Sequence, residues 1–122
     1  MIEELVTLET AKMLKEKGFN KFCSFAYIDE YCNLMSVHTT NSLIDKMGLG
    51  YSAPNQSFAR KWLRETKNLH IEISYMYGNY WIYDILTIPE HDLVGLSDRP
   101  IIRYETYEEA LEAGIFEALK LI

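Results

Sequence analysis

The sequence predicts an α+β fold: a single domain over residues 1–122 with an antiparallel sheet containing a β-hairpin at 69–88, packed on one face by helices at 8–17, 53–67 and 107–121. Two or three helices cover the sheet in this reading. Three observations carry it. Helical periodicity is strong in two segments, Phe58, Ala59, Trp62 and Leu63 on one arc and Tyr107, Leu111, Ile115, Ala118, Leu119 and Ile122 on one stripe. Residues 69–88 are rich in aromatic and β-branched types on both sides of Gly78-Asn79. The 122 residues, 48% hydrophobic and 25% charged, suit one globular core.

Taken in order, Thr7 is placed to cap a helix over Leu8 to Lys17, and Gly18 stands at its left-handed stop with Phe19 as the apolar contact that follows. Phe22 to Ile28 and Leu34 to Thr39 read as two short strands joined by a turn, and this 22–39 region is expected to share one antiparallel sheet with the 69–88 hairpin. Asn41 to Met47 reads as a brief helical turn, after which Gly48-Leu49-Gly50 breaks the pattern. The next helix is expected to start near Ser52, with the hydroxyl as cap and Pro54 in the first turn, and to end at Asn68. Thr106 and Glu109 form a capping box for the last helix. Gly114 lies on its buried stripe, which predicts a close approach of helix to sheet. Ile88 to Tyr104 has no sustained periodicity and reads as a long connection.

The hairpin admits two registers. With Gly78-Asn79 as a two-residue turn, the favoured reading, Tyr77 opposes Tyr80 and Met76 opposes Trp81. One face then carries His70, Met76, Trp81, Tyr83 and Ile85, a mixed polar and apolar surface that suits binding or self-association. A three-residue loop, Tyr77 to Asn79, shifts the pairing by one and turns Trp81, Tyr83 and Ile85 inward. It also sets Asp84 opposite Glu72.

The net charge of −6 disfavours nonspecific attraction to phosphate backbones. Nucleic acid stays a candidate partner only through the face carrying Arg60, Lys61, Arg64 and Lys67, which a winged-helix arrangement would present to a major groove; a solvated helix face is the plainer account. His91, Asp92, Asp98 and Arg99 in the long connection, and His38 or His70 elsewhere, are the only candidates for an enzyme, and they lack the spacing of a metal or nucleophile site. Neither a cofactor nor a metal is expected, and no catalytic residues are assigned. An acidic N-terminus and the lack of an apolar run near the ~18 residues of a membrane span predict a cytoplasmic chain that does not enter a membrane. Cys23 and Cys32 then read as reduced thiols.

The segments Leu8-Glu9-Thr10-Ala11-Lys12, Tyr51 to Ser57 with Lys61 to Glu65, His70-Ile71-Glu72-Ile73 and Tyr107 to Gly114 resemble a family of small uncharacterised proteins from gut Bacteroides-type bacteria and their phages and prophages. The resemblance covers most of the chain and implies a phage or prophage context, with no activity or functional residues to carry over. Together these readings predict a non-enzymatic interaction module that binds another protein or a second copy of itself.

Overall fold

The computed structural model describes residues 4–28, 31, 33–48, 50–94 and 102–122. The chain is α+β, and it divides into two compact units, residues 1–55 and 56–122.

The first unit runs α1 (Leu8–Glu16), β1 (Cys23–Ile28), β2 (Asn33–Thr39), α2 (Asn41–Met47) and β3 (Gly50–Ser52). Thr7 caps α1 by accepting from the Thr10 N–H at 3.3 Å. Gly18, at φ +98°, stops the helix while its N–H reaches the Lys15 carbonyl and that of Phe19 reaches Leu14, the paired bonds of a Schellman motif. Phe19 is buried, as the apolar contact of that motif requires. Thr40 caps α2 through the Leu43 N–H. The antiparallel sheet has the order β2-β1-β3, and Val6, Ala11, Leu14, Phe19, Ala26, Ile44 and Ala53 are its buried apolar residues. Asn41, buried, donates to the Phe19 carbonyl at 2.7 Å and accepts from the Ser52 N–H at 2.9 Å. One amide thus ties the end of α1 to β3 and satisfies two backbone groups that water does not reach.

The second unit runs α3 (Gln56–Lys67), β4 (Leu69–Met76), β5 (Tyr80–Thr87), β6 (Leu93–Val94) and α4 (Tyr107–Lys120). Asn68, at φ 56°, ends α3. The sheet order is β4-β5-β6, and Tyr104 continues the β6 side through a bridge to Trp81. Both α3 and α4 pack on this sheet. Ala59, Trp62 and Leu63 meet Ile71, Tyr83 and Ile85 and the stripe Ala110, Leu111, Ile115, Ala118 and Leu119 in the core. Thr106 caps α4 through the Glu109 N–H at 3.1 Å. Gln56, buried, reaches the Glu108 carbonyl at 3.0 Å and the Glu112 carboxylate at 3.1 Å, which fastens the start of α3 to α4.

Three expectations are corrected. The 22–39 strands and the hairpin do not share a sheet: β1 is flanked on both sides by β2 and β3, and the hairpin takes β6 as its third strand. The helix expected near Ser52 begins at Gln56, because Gly50–Ser52 is strand β3 and the Pro54 carbonyl accepts from the Val6 N–H at 3.0 Å. Ser52 is therefore a buried strand residue and not a cap. The connection after Ile88 is not wholly irregular either, since Leu93–Val94 and Tyr104 both pair with β5.

Candidate functional site

The hairpin register is the shifted one. Met76 opposes Tyr80, Tyr75 opposes Trp81, Ile73 opposes Tyr83, Glu72 opposes Asp84 and Ile71 opposes Ile85, around a loop of Tyr77, Gly78 and Asn79. Gly78 (φ +104°) and Asn79 (φ 64°) both take positive φ. The Asn79 N–H donates to the Met76 carbonyl at 3.2 Å and the Tyr75 hydroxyl to Asn79 Oδ1 at 2.7 Å. Magnitudes explain the choice. The two-residue turn would put Asp84 on the apolar face, at a cost of several kcal/mol for a desolvated charge. The observed register instead faces Asp84 with Glu72, a like-charge pair that costs about 0.2–1 kcal/mol on a wet face.

The expected five-residue patch therefore does not exist. Tyr83 and Ile85 are core residues, 5% and 1% exposed, and His70 and Met76 lie on the opposite face from Trp81. What remains open is the tip. The half-buried Trp81 ring lies 4.8 Å from Tyr75 in a tilted contact and 5.5 Å from Tyr107 in an edge-on one. The Tyr107 hydroxyl accepts from Arg60 Nη1 at 3.2 Å. Backbone bonds in both directions between Trp81 and Tyr104, 2.8 and 3.0 Å, hold the strand from its other edge. Tyr75 is 57% exposed and Tyr77 fully so. On the other face of the hairpin, where Tyr80 pairs with Met76, the Arg103 guanidinium lies 4.6 Å from the Tyr80 ring centre. Tyr75 and Tyr107 were missed in the sequence because their part in the site depends on the register, which sets the Trp81 ring against both.

The basic face of α3 is partly engaged within the unit. Arg60 holds Tyr107 and Lys67 lies over the Trp62 ring at 5.5 Å, while Lys61 is exposed, 4.0 Å from the equally exposed Glu65, and Arg64 is half-buried. The winged-helix arrangement is not formed, because the strand expected to join the hairpin, β1, belongs to the other sheet.

His91 and Asp92 do meet other titratable groups. With Glu72, Asp84, Leu86 and Leu93 they line a depression of about 430 Å³ on the outer face of the hairpin. His70 Nε2 lies 3.0 Å from a Glu72 carboxylate oxygen. Asp98 and Arg99, named with them, lie outside the described residues. Among the described residues no three His, Cys, Asp or Glu side chains are grouped to hold a metal ion. His38 is not among the lining residues, and its ring stacks on Phe22 with centres 4.7 Å apart.

Cys23 carries a free thiol, and burial pushes its pKa up while the Ser52 side chain pulls it the other way. Cys32 lies outside the described residues. A thiol raised by burial favours the folded state below its unfolded pKa, and that contribution is lost as pH rises through the folded value. In a Cys32→Ser background, native Cys23 is therefore expected to alkylate far more slowly than in urea at pH 8. Equal rates, measured by mass spectrometry, would show an accessible thiol instead.

Comparison with known protein families, with curated proteins and with solved structures finds no match to this chain. No helix among the described residues is long and apolar enough to cross a membrane.

Proposed function

We propose that the protein is a non-catalytic interaction module whose binding surface is the aromatic tip of the second unit: Tyr75, Tyr77, Trp81 and Tyr107. The observation that carries this reading is the Trp81 ring braced between Tyr75 and Tyr107 while the neighbouring Tyr75 and Tyr77 stay open to water. Tyr and Trp present large contact areas on few rotatable bonds, so a platform already fixed by its neighbours loses little entropy when a partner arrives. Because Arg60 borders it, an apolar or acidic polypeptide segment fits this surface better than a basic one. A cytoplasmic site of action and a phage or prophage setting belong to the same proposal, the latter resting on the sequence resemblance alone.

Selection from a displayed random-peptide library tests the reading. Peptides enriched on the wild-type protein are expected to lose at least tenfold in affinity on Trp81→Ala and on the exposed variant Tyr77→Ser, with the circular dichroism of both variants unchanged. Enriched peptides that bind both variants as well as wild type, or a library that yields none, would overturn it.

A further inference from the structure

The first unit carries a surface that the aromatic tip does not use. Strand β2 is the outer strand of its sheet. Its side chains are open on both faces: Leu34, which shares a face with Tyr27, is 48% exposed, and Met35, which shares the opposite face with Ala26, is 50% exposed. A helix or a second sheet laid on one face would cover one of these residues and leave the other wet. A strand added at the edge reaches both, through cross-strand neighbours on each face.

Edge strands of soluble proteins are usually guarded by lysine, proline, inward-pointing charge or a bulge that twists the edge away. Strand β2 carries neither proline nor a charged residue along Asn33-Leu34-Met35-Ser36-Val37-His38-Thr39. The irregularity in its pairing with β1 is a bulge in β2 itself, where Val37 and His38 together face Ser24, so the bulge guards that end of the edge and leaves Asn33 to Ser36 as the regular, open stretch. The run from Tyr31 to Ile44 contains no Asp, Glu, Lys or Arg and is the longest such run in the chain. In a chain of net charge −6, this is the segment where a second copy can approach without setting like charges against each other.

We propose that β2 pairs antiparallel with the β2 of a second copy, forming a two-fold dimer through a continuous six-stranded sheet. Pairing centred on Met35 stays within the regular stretch and sets Leu34 opposite Ser36 and Met35 opposite its own copy, so each contact joins uncharged side chains. The two-fold operation occupies both β2 edges at once and closes the assembly, whereas a head-to-tail contact would leave an edge free to propagate.

Absolute mass by light scattering across a concentration series at moderate salt tests the dimer. The wild type is expected to rise from 14.3 kDa towards twice that mass. Leu34→Lys and Met35→Lys, which place charge on either face of the shared edge, are expected to move the midpoint at least tenfold higher in concentration. Trp81→Ala is expected to leave it unmoved. In the wild type, amide protection from hydrogen exchange at Leu34, Met35 and Ser36 is expected to rise with concentration, a readout that stands even if a lysine variant fails to fold. A strict monomer at every concentration would overturn the proposal, and so would a dimer lost on Trp81→Ala but kept in both lysine variants. A monomer whose β2 amides become protected only when an unrelated polypeptide is added would give the edge to a different partner and overturn the second copy as its occupant.

Discussion

Trp62→Ala is expected to cost about 3–5 kcal/mol, the usual range for truncating a large buried aromatic. Trp62 is 6% exposed and sits on the face of α3 that also buries Ala59 and Leu63. The loss has two parts. Transfer of the indole from water is forfeited, and the cavity left behind in a close-packed core collapses only partly. The Lys67 ammonium, 5.5 Å from the ring centre, loses its cation–π partner as well. Since whole domains have only about 5–15 kcal/mol of stability, this change should remove a large fraction of it. Urea unfolding followed by circular dichroism should show a lower midpoint at unchanged slope. A change below about 1 kcal/mol would mean that Trp62 is not a core residue.

Gly114→Ala tests the second unit with a sign and not only a size. At an ordinary helix position this substitution should stabilise by about 1 kcal/mol, because alanine is the better helix former. Here a Cβ would stand 2.7 Å from Ile71 Cγ2 and 3.2 Å from Tyr83 Cγ. Neither atom is the free end of a flexible chain. Ile71 Cγ2 branches from a Cβ on a fully buried strand residue, and Tyr83 Cγ is the root of a buried ring. Relief therefore requires α4 to lift from the sheet, an overpacking cost of about 1–3 kcal/mol that outweighs the propensity gain. The expected result is net destabilisation on Gly114→Ala and a larger loss, about 3 kcal/mol or more, on Gly114→Val. Gly114→Ala with a raised melting temperature would contradict the close approach.

Much of this architecture was legible because local chemistry decided it. Thr7, Gly18-Phe19, Asn68 and Thr106 each act within a few residues and behave in the structure as their residue types dictate, and of the box read at Thr106 and Glu109 the Thr106 half is formed. Gly114 was legible for a related reason: a glycine on a buried helical stripe has few purposes other than close packing.

The hairpin register was not settled locally. Gly78 and Asn79 both accept positive φ, so the pair fits a two-residue turn and a three-residue loop equally well. The decision came from Asp84, whose preference for a wet face opposite Glu72 outweighed the repulsion there. Strand β3 was missed because Gly50-Tyr51-Ser52 is too short to display alternation, and its pairing is fixed by the remote carboxamide of Asn41. Once Gly50–Ser52 pairs with β1, the hairpin must find its third strand downstream, in Leu93–Val94. The candidate site followed the register. Tyr83 and Ile85 went to the core, and Trp81, at the end of the same face, was left half-open between Tyr75 and Tyr107.

The measurement that tests the account most directly is a nuclear Overhauser spectrum of the labelled protein across the hairpin, since the aromatic platform exists only in one register. Cross-strand contacts between Tyr75 and Trp81, Ile73 and Tyr83, and Glu72 and Asp84, together with ring contacts from Trp81 to Tyr107, are the predicted result. Contacts between Met76 and Trp81 and between Tyr75 and Ile82 would contradict it. They would return Tyr83 and Ile85 to the surface and dissolve the braced platform on which the proposed function rests.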